Sequence, residues 1–470
     1  MDRKEKKQKL DTSGITSLSL SKMHLKFKKK KKTKKQKNSE NHNPSLSKNK
    51  DLVISSPSLS KIDVRQVMKK QNDVAMLLAR KAISAVAKNS NFVFSPVSIS
   101  AVLTMVAASC DEESEELRSF ILSFLRSSST DELNAVFHEI ASFVLVDGRK
   151  KGGPKIAVVN GVWMEQSLPV SPSLKDIFEN FFKAAFEQVD FRTKVSLCMI
   201  SLSHQDMSKS YHIQCFLHFP YNPIYFLLFL KAEQVRMEVN SWASRHTNGL
   251  IKNLLPHGSV TRLTDRIHGT ALYFKGSWEK KFHKSMTERK PFYLVNGTTV
   301  SVPFMSSSHK QYIESYNGFK VLSLPYRQDR DEDTDRGFSM YFYLPDMKDG
   351  LDNLLKRMSS TPGFLDSHIP KEKVKVGEFR IPKFKIESGF EASSYFNNFV
   401  LDVSMYQKVF IEIDEEGTEA YACTDFHVPY NGCSWVRPID FVADHPFVFL
   451  IREYQTGTVL FAGQIFDPSA

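Results

Sequence analysis

A chain of 470 residues, 41% hydrophobic and 25% charged, has the ordinary composition of a soluble globular protein, long enough for one large domain or two to three average ones. Its net charge of +12 lies in one place: residues 1–60 carry 17 Lys/Arg against five acids, and the rest is neutral with 47 of each sign. The alkaline balance therefore says nothing about the folded body, while the longest apolar run, Ile224–Leu230, is far short of the ~18–20 residues of a membrane span and excludes one.

The Lys-rich run Leu25–Lys37 (LKFKKKKKTKKQK) is followed by Ser-, Asn- and Pro-rich sequence to about Ser60. Like charges at this density repel, and few apolar side chains are present to offset chain entropy, so a disordered tail is expected over residues 1–60. Two readings stand for it: contact with nuclear import machinery or a polyanion, which would be salt-sensitive, and a solvated extension with no dedicated partner. No apolar stretch follows the first Met, so no secretory signal is expected. The cysteines Cys110, Cys198, Cys215, Cys423 and Cys433 are odd in number and show no CxxC pair, which reads as reduced thiols in a cytoplasmic or nuclear protein.

From about Ile62 the pattern turns globular. Val64–Val86 has apolar residues at helical spacing and predicts an amphipathic helix. In NFVFSPVSISAVLTMVAAS, Ser95-Pro96 marks a switch from strand to helix, with Pro at an early helical position. AEQVRMEVNSWASRHTNGLIKNLL predicts a helix ending near Gly249, and HGTALYFKGSW a strand. The C-terminal third reads as strands: FSMYFYLP, KVKVGEFRIPKFKIES, KVFIEID, DFVADHPFVFLIRE and TGTVLFAGQIF are rich in β-branched and aromatic residues. Helices early and strands late, without βαβ alternation, predict an α+β fold.

Enzyme signatures are missing: there is no GxSxG, no Gly-rich phosphate loop and no HExxH. His204, His212 and His218 lie near Cys198 and Cys215, but their spacing fits no standard zinc pattern, so no metal is expected. Asp444-His445 has the look of part of a triad, yet a His beside an Asp in a Phe-rich strand reads as structural.

The segment Val409–Asp425 is unusual. KVFIEID reads as a strand, EEG breaks it, and then Thr418, Ala420, Ala422 and Thr424 put small residues on one face at period two. Glu419, Tyr421, Cys423 and Asp425 take the other face. An exposed loop patterned like a buried strand makes sense if it becomes one.

EEGTEAYACT (Glu415–Thr424) resembles the hinge of the serpin family, in the form that its plant members carry. NFVFSPVSIS (Asn91–Ser100), NGVWMEQSLPVSPSLKD (Asn160–Asp176), VNSWASRHTNGLIKNLLP (Val239–Pro256), ALYFKGSWEKKF (Ala271–Phe282), DFVADHPFVFLI (Asp440–Ile451) and LFAGQIFDP (Leu460–Pro468) carry the same resemblance. It implies one domain over residues 61–470 with a large central mixed sheet, two further sheets, eight or nine helices and an exposed reactive-centre loop. It also implies a monomeric suicide inhibitor of serine or cysteine proteases, not an enzyme, with no cofactor and no membrane partner. An extracellular location would follow from the family alone. The alternative that the resemblance allows is a serpin that binds without inhibiting, or a defective family member.

Carried over residue by residue, the hinge is Glu415, Glu416, Gly417, Thr418, Glu419, Ala420, Tyr421, Ala422, Cys423 and Thr424. The sheet-opening region is Ser95, Ser98, Thr270 and Trp278. Counting from Glu415 places the bait bond at Asn431-Gly432, whereas counting back from Asp440 places it at Tyr430-Asn431. Asn at the primary position suits a legumain-like cysteine protease and Tyr a chymotrypsin-like enzyme, with Pro429 hindering many others.

Three features depart from the family. Some 36 residues, Val195–Leu230, are inserted before a helix, and their alien composition reads as a retained intron, since a Val codon can hold the GT of a splice donor. If translated, IYFLLFL would be an aggregation risk there. The connector before the pre-hinge strand is short, and Thr270 stands where relatives carry Asn, which is expected to alter the ease of sheet opening.

Overall fold

The computed structural model describes residues 61–110, 114–192, 223–247, 249, 251–328, 336–393, 404–417 and 438–470. The first helix, α1 (Lys61–Val86), buries Val64, Val67, Met68, Gln71, Ala75, Leu78 and Ala82, the i, i+3, i+4 stripe read in the sequence. A short strand β1 (Phe92–Phe94) then leads into α2 (Pro96–Ala108). Ser95 is its N-cap: extended at φ −110°, it accepts the Ser98 N–H on its hydroxyl, and Pro96 opens the first turn, where no N–H is needed. Because α2 is buried almost all round, it lies inside the molecule and not on its surface.

Next come α3 (Glu115–Phe124), α4 (Thr130–Glu139), β2 (Lys155–Glu165), α5 (Pro172–Asp176), β3 (Ala185–Val189) and α6 (Pro223–His246). They are followed by β4 (Arg266–Lys275), β5 (Glu288–Tyr293), β6 (Thr299–Met305), β7 (Gln311–Tyr316), β8 (Phe319–Pro325) and β9 (Phe338–Pro345). Two helices, α7 (Leu351–Ser360) and α8 (Phe364–Ser367), precede β10 (Lys373–Val374), β11 (Val376–Pro382), β12 (Phe384–Glu391) and β13 (Ser404–Ile413). The chain closes with β14 (Ile439–Val442), β15 (Phe447–Glu453) and β16 (Val459–Ile465).

The strands form three sheets, in the orders β1-β16-β15-β9-β8-β7-β10, β14-β11-β6-β5 and β12-β13-β4-β2-β3. The five-stranded one is mixed, because β13 runs parallel to β4 and β2 parallel to β3. The largest sheet is instead the seven-stranded antiparallel one. Despite the short connector, β12 and β13 pair over their full overlap, from Phe384↔Ile413 to Glu391↔Tyr406.

The mixed sheet is sandwiched. On β4, Ile267 and Ala271 face α6, joining Trp163, Val235, Val239, Trp242 and Tyr406 in one apolar cluster. The alternate residues Leu272 and Phe274 face the opposite core, with Val97 of α2 and Val409 and Ile411 of β13. Trp163 and Trp242 meet edge to face at 4.9 Å, and a Cβ at Gly161 would overlap the Trp163 ring, so glycine is required there.

Helix α6 begins inside the 195–230 insertion, not after it: Pro223–Leu230 is continuous with the helix read from the Ala232 region. Pro223 stands at the first position, where its missing N–H costs nothing, and no Gly or Pro interrupts the run to His246. The remainder of the insertion, including the histidines and Cys198 and Cys215, lies outside the described residues, as do Cys423 and Cys433. No helix among the described residues is long and apolar enough to cross a membrane.

Candidate functional site

The pre-hinge strand and its neighbour pair over a short stretch only. The parallel ladder of β13 on β4 runs from Ser404↔Ile267 to Lys408↔Ala271 and ends there. Beyond it, Val409–Ile413 pairs with β12 on one side and Leu272–Lys275 with β2 on the other. Among the described residues, the facing edges of these two upper segments carry no ladder. The two strands are thus paired below, without a ladder along Val409–Ile413, and bridged again at the hinge by Ser277↔Gly417.

At the hinge the chain turns sharply. Asp414 N–H donates to the Gly417 carbonyl (3.2 Å) and Gly417 N–H to the Asp414 carbonyl (3.4 Å). Gly417 adopts φ +115°, and a Cβ there would overlap the Gly276 carbonyl and the Trp278 N–H, so only glycine fits. Trp278 fastens the turn twice: its backbone N–H donates to the Glu416 carbonyl (3.1 Å) and its indole N–H to the Asp414 carbonyl (2.9 Å). Its ring stacks on Tyr326 at 4.6 Å, which fixes the indole for that role.

The two hinge carboxylates are held separately. Glu415, 5% exposed, accepts from Lys383 Nζ (2.7 Å) and Thr287 Oγ1 (2.7 Å). Glu416 pairs with Lys281 at 2.8 Å and more loosely with Lys284 at 3.8 Å. Burial pushes the Glu415 carboxyl up, but hydrogen bonds from Lys383 and Thr287 outweigh it and hold the group below its ordinary value. Asp414 goes the other way, raised chiefly by burial.

A second layer lies lower in the sheet, on the face toward α2. Gln407 accepts the Ser95 N–H on Oε1 (2.7 Å) and donates Nε2 to the Ser95 carbonyl (2.9 Å). Directly opposite Gln407 in the ladder sits Thr270, whose hydroxyl donates to Asn160 Oδ1 at 3.0 Å. Ser95, Thr270 and Gln407 are each no more than 1% exposed, so every polar atom here depends on a protein partner.

The structure brings Ser95, Ser98 and Thr270 together and puts Trp278 elsewhere, at the hinge turn. Gln407, Asn160, Lys281, Thr287 and Lys383 were not singled out from sequence. Lys281 in WEKKF and Lys383 in IPKFK carry no local signal that distinguishes them from solvated positions, and nothing local marks Gln407 as buried. Hinge residues Glu415, Glu416 and Gly417 are placed as above; Thr418–Thr424 and both candidate bonds, Tyr430-Asn431 and Asn431-Gly432, lie outside the described residues.

Asp444-His445 is structural. His445 is 6% exposed, with Nδ1 on Asp444 Oδ1 (2.8 Å) and Nε2 on the Pro345 carbonyl (2.7 Å), which leaves no ring nitrogen for a nucleophile. Cys110 Sγ donates to the Val106 carbonyl at 3.3 Å. No cluster of His, Cys, Asp and Glu able to hold a metal occurs among the described residues.

The chain, with its β13–β4 ladder ending at Lys408↔Ala271 below a glycine turn, belongs to the serpin family. The profile described as "Serpin (serine protease inhibitor)" matches residues 69–202, 206–402 and 400–468. Within the family it falls in the plant Z-type branch. It is 67% identical to "Probable non-inhibitory serpin-Z5" of Arabidopsis thaliana over the whole of both chains. It is 60% identical to "Serpin-Z2" of the same plant, covering 90% of this chain and 97% of the relative. Among solved structures, "Structure of Arabidopsis AtSerpin1. Native Stressed Conformation" superposes with a TM-score of 0.72 at 41% identity, covering 87% of this chain and all of that one. The family's description is that of a protease inhibitor and not of an enzyme.

Proposed function

We propose that this serpin inhibits a serine or cysteine protease by suicide-substrate trapping. The observation that carries the reading is the β13–β4 ladder ending at Lys408↔Ala271 beneath the Gly417 turn. The protease's oxygen or sulfur attacks the bait carbonyl, the C–N bond breaks, and the new amine leaves with the nucleophile's proton. An acyl link to the protease remains. The freed loop then descends from Gly417, antiparallel to both β4 and β13. One parallel ladder is lost and two antiparallel ladders are gained, a net increase in satisfied backbone groups. Small inward residues Thr418, Ala420, Ala422 and Thr424 suit that passage, and Tyr421 faces outward.

The bait bond is Asn431-Gly432 or Tyr430-Asn431. Incubation with a legumain-like and a chymotrypsin-like protease should give an adduct that survives SDS, and sequencing the released peptide selects the bond. Complete cleavage without an adduct, or no cleavage near either bond, overturns the reading.

A second reading, binding without inhibition, is supported by the printed name of the 67% identical relative. Turnover as a plain substrate in the same gel would favour it. The Lys-rich run Leu25–Lys37 is read as a nuclear-import or polyanion contact on its charge alone. Deleting residues 1–60 should then abolish nuclear accumulation of a fluorescent fusion, and an unchanged distribution removes that reading.

A further inference from the structure

The bait loop is anchored at two ends, by the Gly417 turn and by β14, which begins just past Pro438. Between the candidate bonds and Pro438 lie six or seven residues, and between Gly417 and the bonds 13 or 14. At about 3.3–3.6 Å for each residue, the shorter arm reaches no more than about 25 Å, roughly half the reach of the longer one. The anchor at β14 therefore limits where the bait bond can stand.

Strand β14 is held unevenly. Its far half is enclosed: Phe441 is fully buried, as is Ala443 just beyond, whose N–H donates to the Arg380 carbonyl at 2.9 Å. Its near half lies at the surface, with Asp440 exposed. There the parallel ladder on β11 slips between Val376↔Ile439 and Phe379↔Phe441, so that Asp440 alone stands opposite Gly377 and Glu378. Such a bulge leaves a backbone group short of a ladder partner. Asp440 supplies one: its carboxylate Oδ1 accepts the Glu378 N–H at 2.7 Å, and its carbonyl accepts Lys320 Nζ from β8 at 3.1 Å. A Cβ at Gly377 would overlap that same Oδ1, so the carboxylate lies against bare backbone.

The buried far half keeps β14 in its sheet without this help. What Asp440 adds is a fixed path for the residues nearest the loop. We infer that Asp440 is a positioning residue for the bait bond: seated on Gly377, its carboxylate sets the exit of the loop and thereby pre-organises the bond for attack. This role rests on the inhibitor reading only in taking the loop as bait, and it holds whether or not attack ends in trapping.

Cleavage of the full-length protein reads this role as a second-order rate constant. The protease is whichever of the legumain-like and chymotrypsin-like enzymes cuts at Asn431-Gly432 or Tyr430-Asn431. Asp440→Ala should lower the constant about three-fold, the scale of one net hydrogen bond, with the melting temperature unchanged. Asp440→Asn keeps an oxygen for the Glu378 N–H and should restore the wild-type rate. Gly377→Ala displaces the carboxylate from the facing strand; it should match Asp440→Ala and add nothing to it in the double variant. Tryptic cutting within Leu25–Lys37, remote from the loop in sequence, should be the same in every variant. An unchanged rate for folded Asp440→Ala overturns the inference, as does a double variant whose losses simply multiply. No cut at either bond overturns both the inference and the inhibitor reading. Cutting without an SDS-stable adduct, the rate losses persisting, removes trapping alone and leaves the positioning role standing.

Discussion

Gln407 grips both backbone polar groups of Ser95, at 2.7 and 2.9 Å, across 312 residues of chain. This contact joins the pre-hinge strand to the capped start of the buried helix. Gln407→Leu would leave the Ser95 N–H and carbonyl buried without partners. It should destabilise the native fold by about 2–6 kcal/mol in urea denaturation, at about 1–3 kcal/mol for each of the two orphaned groups. An unchanged midpoint would mean that the contact is dispensable.

Thr270→Val preserves shape while removing the donor to Asn160 Oδ1. A loss of about 1–3 kcal/mol is expected. Thr270→Asn supplies an extra donor in the same layer as Gln407 and should raise the unfolding temperature; no change would count against a role for this position in sheet opening.

Their β-branched and aromatic content made β9, β13 and β16 legible, although β9 and β16 are buried at every position and show no alternation. EEG followed by small residues at period two carried the hinge reading, and only its first residues, Glu415–Gly417, fall within the described structure. The start of helix α6 was not legible: Val195–Leu230 was read as one inserted segment before a helix, whereas the helix begins at Pro223 within it. The Gln407–Ser95 and Lys383–Glu415 contacts were invisible, since a Gln or Lys at an alternate strand position reads as solvated unless its distant partner is known. Sequence reasoning grouped Trp278 with Ser95, Ser98 and Thr270 in one sheet-opening region; Trp278 lies just past the end of β4, at the hinge turn.

Gly417→Ala should disturb the hinge specifically. At φ +115° a side chain is strained, and its Cβ would press on the Gly276 carbonyl and Trp278 N–H. A cost of at least about 1–2 kcal/mol is expected from the backbone conformation alone. Limited proteolysis should show faster cutting around Asp414–Gly417, and an unaltered digestion pattern would refute the turn's tight fit.

His268 sets an acid limit. Burial, helped by Arg266, lowers its pKa from 6.5 to about 3, so the folded protein keeps it neutral. The unfolded chain binds the proton first, hence stability is full above pH 6.5 and is lost as pH falls toward 3. His268→Leu should flatten the stability profile in that window when melting is followed by circular dichroism. A wild-type profile that is already flat there would contradict the buried neutral imidazole.

The central claim is that the slot above Lys408 and Ala271 awaits a strand from the same chain. Melting of the intact protein should be compared with melting after one cut in the loop beyond Thr424. Insertion exchanges one short parallel ladder for two antiparallel ones, so the cleaved form should melt higher by at least about 10 °C. An unchanged or lower melting temperature after cleavage would contradict the account.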